Sequence, residues 1–280
     1  MDKQGFIDFN IRLSAEKSGK ANSYARAIEI LDDVLKHQNV IDLQGKSLYN
    51  IDDLSVIETL LRYVKEEVIK LRKHEPNVFD HGKPNQRSYP EKNFCSAALQ
   101  SLIRYVQYEK DIITADNIVA SENNPKTISN KLINHFDITK QGEDKISMAK
   151  QRKGQDYFRR MILANYNCHC AITGINIPQL LLASHIIPWA DKRHKNDRLN
   201  PENGICLSAL YDKAFDKGLI TISPDDYTIC LSDALHEYES QEYFDLHFGS
   251  IAGQKIIMPI EYSPNPDFLA YHRDHVFQGL

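Results

Sequence analysis

Residues 166–223 read YNCHCAITGINIPQLLLASHIIPWADKRHKNDRLNPENGICLSALYDKAFDKGLITIS, and the order of runs within them decides how the rest of the chain is read. An apolar run over residues 180–187 brings Ser184 and His185 to its end. A basic loop follows, then a turn over residues 199–204 that holds Asn203 and Gly204. A short apolar strand over 205–207 leads into a helix carrying Asp212 and Asp216. Carboxylates four residues apart on a helix share one face, about one turn or roughly 5.4 Å apart along the axis. One imidazole, one amide and two carboxylates on a hairpin and its following helix are the parts of a metal-assisted phosphodiesterase.

The spaced blocks CAITG (170–174), ASHIIPW (183–189) and NGICLSALYDKAFDKGLITI (203–222) resemble the HNH nuclease family. Upstream, Arg152, Gly154, Gln155, Phe158 and Arg159 fit the lead-in helix of the same branch, so the resemblance covers roughly the last half of the chain. It implies a ββα-metal fold, a β-hairpin and a helix around one divalent metal. It also implies cleavage to 5′-phosphate and 3′-hydroxyl ends, with DNA (duplex) as partner and restriction or anti-phage defence as setting.

Phosphodiester hydrolysis needs an activated water, charge stabilisation on the phosphorus oxygens and help for the departing 3′-oxygen. His185 is the candidate general base, since an imidazole with a pKa of about 6.5 takes a proton near neutral pH. Asp212 and Asp216 are the candidate metal ligands. Hard cations prefer carboxylate oxygen, and aspartates at helix positions where the family often has histidine point to Mg²⁺ or Mn²⁺. Asn203 resembles the central asparagine of the family, either tying the hairpin ends together and orienting His185 or ligating the metal. As a turn residue before glycine it has a plain structural reading too. Two departures from the family stand out. Ser184 occupies the place of a common aspartate or histidine ligand, and Tyr211 that of a frequent histidine, where it is read as packing.

Bulk composition bounds the rest. The 280 residues are 42% hydrophobic and 26% charged, with a net charge of −4, ordinary for a soluble globular chain and no advertisement of nucleic-acid binding. No apolar run is long enough for a membrane span, and the first residues lack a signal-peptide core, so the expected address is the cytoplasm. Five cysteines, with no CxxC pair, argue against a disulfide framework and against the usual zinc ribbon; no structural zinc is expected.

The fold class expected is α+β: a helical N-terminal module over 1–112 for specificity, sensing or assembly, a polar connector over 113–150, and a nuclease domain over 151–280. In the module, Val56, Leu60, Leu61, Val64, Val68, Ile69 and Leu71 mark an apolar helical stripe, while Lys3, Arg12, Lys17, Lys20 and Arg26 make the N-terminal end basic. Arg152, Lys153, Arg159 and Arg160 form a basic face ahead of the motif, and Lys192, Arg193, Lys195 and Arg198 a second patch in the hairpin loop; both are candidate nucleic-acid contacts. Cutting both strands with one site per chain favours a homodimer. The rival readings are an effector switched on by a partner or signal, and an inactive nucleic-acid-binding module, the latter favoured by Ser184.

Overall fold

The computed structural model describes residues 1–13, 18–38, 41–43, 45–138 and 145–279; Lys17 and residues 139–144 of the expected connector lie outside them. These residues divide into two units, Met1–Ile113 and Thr114–Leu280, with the division falling inside one long helix.

The first unit is helical: α1 (Lys3–Leu13), α2 (Lys20–Val34), α3 (Leu54–Arg72), the short α4 (Ser88–Glu91) and α5 (Phe94–Ala120), which continues past the division. Asp53 caps α3 by accepting from the Ser55 amide at 2.9 Å. The buried face of α3 is Ile57, Leu60, Val64, Val68 and Leu71, at i, i+3, i+4 spacing, whereas Ile69 is 52% exposed. At 100° per residue Ile69 turns away from that face, so apolar content alone placed it on the wrong side. Phe6 anchors α1 against Tyr49 and Tyr105, with ring centres 5.7 and 5.8 Å away.

The second unit is built around α7 (Lys145–Asn165) and a hairpin of β1 (Leu181–His185) and β2 (Gly204–Ser208), followed by α8 (Ala209–Asp216). The strands are antiparallel, with Leu181 opposite Ser208 and His185 opposite Gly204. A second hairpin, β3 (Ile220–Ile222) with β4 (Ile229–Leu231), and two helices, α9 (Glu242–His247) and α10 (Pro266–His275), complete it. The mixture of helices and two-stranded antiparallel sheets is α+β.

Between the two expected domains the structure places α6 (Pro125–Phe136), capped by Asn124, in the second unit. Ile128, Leu132, Ile133 and Phe136 line one side of it and are buried, and α6 packs on α7. A twelve-residue helix needs only one such stripe to join a core, which is why its low apolar density reads as a connector.

Candidate active site

Strand alternation sends neighbouring side chains of β1 to opposite faces. Ser184 faces α8: its hydroxyl donates to Asp212 Oδ1 at 2.5 Å, and it is buried. His185 faces α7, where its ring stacks on Phe158 with centres 3.9 Å apart and planes 14° off parallel. The Trp189 ring meets the imidazole edge-on at 5.5 Å. Gly204 lies opposite His185, and a Cβ there would sit 2.7 Å from Phe158 Cζ and 2.4 Å from Ile162 Cδ1. Its backbone is extended (φ −136°), so this glycine serves close approach of α7 to the hairpin rather than the turn that Asn-Gly suggests.

His185 Nε2 lies 2.9 Å from the Arg198 carbonyl oxygen. A carbonyl only accepts, so Nε2 carries the hydrogen and Nδ1 of the neutral ring keeps its lone pair. Burial pushes the His185 pKa down to about 4, outweighing the upward pull of that hydrogen bond, so the ring is neutral at pH 7.

Asn203 is 1% exposed. Its Oδ1 accepts from the Ile187 amide at 2.8 Å, and its Nδ2 donates to the Asp197 carbonyl at 3.0 Å and the Ile187 carbonyl at 3.4 Å. The side chain therefore ties the two ends of the hairpin loop together, and with both polar atoms engaged by backbone it is not placed as a metal ligand.

From Ser208, opposite Leu181, to Asp212, beside Ser184, α8 runs along β1 in the strand's own direction. Asp216 follows about 6 Å further along the helix, toward the end of β1 that bears His185. Asp212 is half-buried and Asp216 exposed. Partial desolvation, and then the charge of Asp212, raise the Asp216 carboxyl above its ordinary pKa. Two hard oxygen donors whose mutual repulsion a cation would relieve fit a Mg²⁺-type ion, which takes one or two carboxylates and completes its shell with water and phosphate. Ser184 occupies one lone pair of Asp212 Oδ1 and orients the group, leaving Oδ2 available. Among the described residues, no group of three or more His, Cys, Asp or Glu side chains converges as a metal site.

The basic residues do not form one surface. Arg159 donates to the Leu181 carbonyl at 2.5 Å and the Pro178 carbonyl at 3.2 Å, fastening α7 to the entrance of β1. Arg198, expected at the rim of the loop, is 4% exposed; its Nε donates to the Trp189 carbonyl at 2.9 Å and its guanidinium lies 5.1 Å from the Trp189 ring centre. Burial takes Arg198 away from the rim where a phosphate contact was expected, while half-buried Arg159 commits two of its donors to backbone carbonyls. Arg160 is exposed and pairs with Asp116 at 3.0 Å. Arg152 is exposed and Lys153 half-buried on α7, and Lys192 and Lys195 are exposed in the loop. Arg193, also exposed, pairs with Asp191 at 3.0 Å, and Tyr271 of α10 hydrogen-bonds to both. The guanidinium first, then the Tyr271 hydroxyl, hold the Asp191 carboxyl well below the ordinary range.

Tyr211 is 4% exposed and donates to the His247 carbonyl at 2.8 Å, so it packs rather than facing the carboxylates. Sequence reading missed the stacking of Phe158, the spacing need of Gly204 and the Asp191–Tyr271 contact. Gly204 lies inside the third block and Phe158 in the lead-in helix ahead of the first, a usable signal, whereas nothing local links Asp191 to a tyrosine 80 residues away.

A search among curated proteins finds no match to this chain. Residues 170–223 match the family model HNH_2, described as HNH endonuclease, which spans β1, the loop, β2, α8 and β3. This stretch, with its hairpin, asparagine-tied loop and carboxylate-bearing helix, is the part of the chain that is similar to HNH endonucleases.

Proposed function

We propose that the chain is a divalent-metal-dependent DNA endonuclease of restriction or anti-phage defence, cutting to 5′-phosphate and 3′-hydroxyl ends. The observation that carries this reading is the state of His185: a neutral ring whose Nε2–H is taken by a carbonyl and whose Nδ1 is left to accept a proton. In that role Nδ1 takes the proton of the attacking water. Asp212 and Asp216 would hold the ion, Mg²⁺ or Mn²⁺, which supplies Lewis-acid stabilisation of the phosphoryl oxygens worth several kcal/mol when bound. Ser184 keeps Asp212 oriented. Lys192, Lys195 and Arg193, with Arg152, Lys153 and Arg160 on α7, supply positive charge for the phosphate backbone, and Asn203 keeps the loop and the base in place. Action on both strands would call for a homodimer.

Plasmid cleavage with Mg²⁺, Mn²⁺ or EDTA tests the proposal. Cutting that needs the metal and is lost in His185→Ala supports it; undiminished cutting by that variant removes the base assignment. A second reading, a nucleic-acid-binding module without catalysis, draws support from the neutral hydroxyl of Ser184 bonded to Asp212. It expects salt-dependent DNA binding and no cleavage with any metal. An effector awaiting a partner or signal, with the helical module as sensor, would be silent alone and cut once that activator is supplied.

A further inference from the structure

Resting on the reading of His185 as general base, we propose that Arg198 is its positioning residue: the buried guanidinium closes the loop from Trp189, so that the carbonyl of Arg198 holds the imidazole with Nδ1 free.

The side chain and the carbonyl of this one residue act at two ends of the same arrangement. The guanidinium donates through Nε to the Trp189 carbonyl at 2.9 Å and lies over the Trp189 ring at 5.1 Å. That same ring meets His185 edge-on at 5.5 Å, and the far face of His185 rests on Phe158 at 3.9 Å. Trp189 thus touches both the clamp and the imidazole it serves. Withdrawing a guanidinium from water costs free energy unless it is hydrogen-bonded, and burial pulls the Arg198 pKa down accordingly. A residue whose task was to meet phosphate at the surface would have no need of that placement.

The backbone around Arg198 is held at three successive carbonyls. Asn196 accepts from the Ser129 hydroxyl at 2.6 Å, Asp197 from Asn203 Nδ2 at 3.0 Å, and Arg198 from His185 Nε2 at 2.9 Å. Ser129 and Asn203 fix the first two from α6 and from the base of β2. The third belongs to the residue whose side chain reaches back to Trp189, four residues after His185. Without that reach the last carbonyl is free to rotate, and a neutral imidazole without a fixed acceptor distributes its hydrogen between Nδ1 and Nε2. Lysine cannot replace the clamp, because it has neither a planar face for the indole nor a directed Nε–H.

The test uses the full chain labelled with ¹⁵N-histidine, with long-range ¹H–¹⁵N spectra reporting each tautomer and His185→Gln identifying the His185 signals. Wild type should show a single Nε2–H form at His185. Arg198→Ala and Arg198→Lys should both show mixed tautomers, and Mg²⁺-dependent plasmid cutting should fall about 10- to 100-fold, the size of loss expected when a reacting group is misplaced. The salt dependence of binding to a short DNA duplex should keep its slope, whereas a lost phosphate contact lowers it by about one. Retention of the Nε2–H form in both variants overturns the proposal, as does wild-type cutting by Arg198→Lys or a slope reduced by about one. Should Arg198→Ala fail to fold, Arg198→Lys decides on the same spectra. If wild type cuts nothing, the reading of the chain as an endonuclease active on its own fails, while the tautomer data still judge the clamp.

Discussion

Asn203 and His185 stand at the two inner ends of the hairpin and both make their bonds to backbone of one loop. The amide of Asn203 engages Ile187 and Asp197, and the imidazole engages Arg198. Replacing Asn203 by Ala leaves the buried Ile187 amide unpaired and takes from the Asp197 carbonyl one of its two donors, the other being the Asn200 amide at 3.2 Å. We expect a loss of about 2–3 kcal/mol, in line with the cost of stranding buried polar groups, read as a lowered Tm and urea midpoint. Stability within 0.5 kcal/mol of wild type, roughly the range of neutral surface changes, would speak against the tie. Asp216→Asn and Asp212→Asn belong to the same scale but act differently. Each should leave Tm within a few degrees while removing most metal-dependent cutting, since a neutral amide is a poor partner for a hard cation. If Asp216→Asn cuts as well as wild type at low Mg²⁺, that residue holds no ion.

At the level of elements, α7 lies against the hairpin because β2 begins with a glycine. Phe158 and Ile162 fill the space a side chain at 204 would take, and the Phe158 ring there also supports His185. Gly204→Ala forces these two side chains away and should cost about 1–3 kcal/mol as overpacking. It should also reduce cutting more than its effect on folding explains, because the imidazole loses its stacking partner. Tm and cleavage measured at a temperature where the variant is fully folded separate the two effects; unchanged cutting there would show that the stack is structural only. The position of α8 follows from a similar local fact. Ser208 ends β2 opposite Leu181, the helix starts at once, and Asp212 arrives beside Ser184 four residues later.

For the second unit as a whole, two histidines are held neutral by burial. His185 sits on Phe158, and His272 of α10 stacks on Phe215 at 3.7 Å between the Thr221 hydroxyl and the Phe215 carbonyl. Each has its pKa lowered to about 4, against about 6.5 in an unfolded chain. Between those values the unfolded state binds more protons than the folded one. Stability is therefore full above pH 6.5 and is lost as pH falls toward 4, by up to about 3 kcal/mol per histidine. Urea midpoints at pH 7, 6 and 5 should fall in that order, ahead of carboxylate titration. A midpoint that stays level from pH 7 to pH 5 would mean that these rings are not excluded from charging.

Much of this molecule was readable from local order alone. Alternation and helical spacing act over a few neighbours, so the strand ending at His185, the helix bearing Asp212 and Asp216, and most of the stripe of α3 follow from residues close together in the chain. The HNH endonuclease model matches residues 170–223, the stretch in which those blocks lie. What burial and distant contact settle was not readable there. A count of arginines in the 192–198 loop cannot tell an exposed Lys195 from an Arg198 that folds back under Trp189, because both are cations on a polar stretch. Likewise nothing near Asp191 announces Tyr271, nothing near Asn196 announces Ser129, and apolar content does not separate buried Ile57 from exposed Ile69. The sequence by itself determined the elements and the family likeness of residues 170–223, because periodicity and motif spacing are local properties. Only the tertiary structure decided which polar groups meet water and which meet backbone, because that depends on segments far apart in the chain closing over one another.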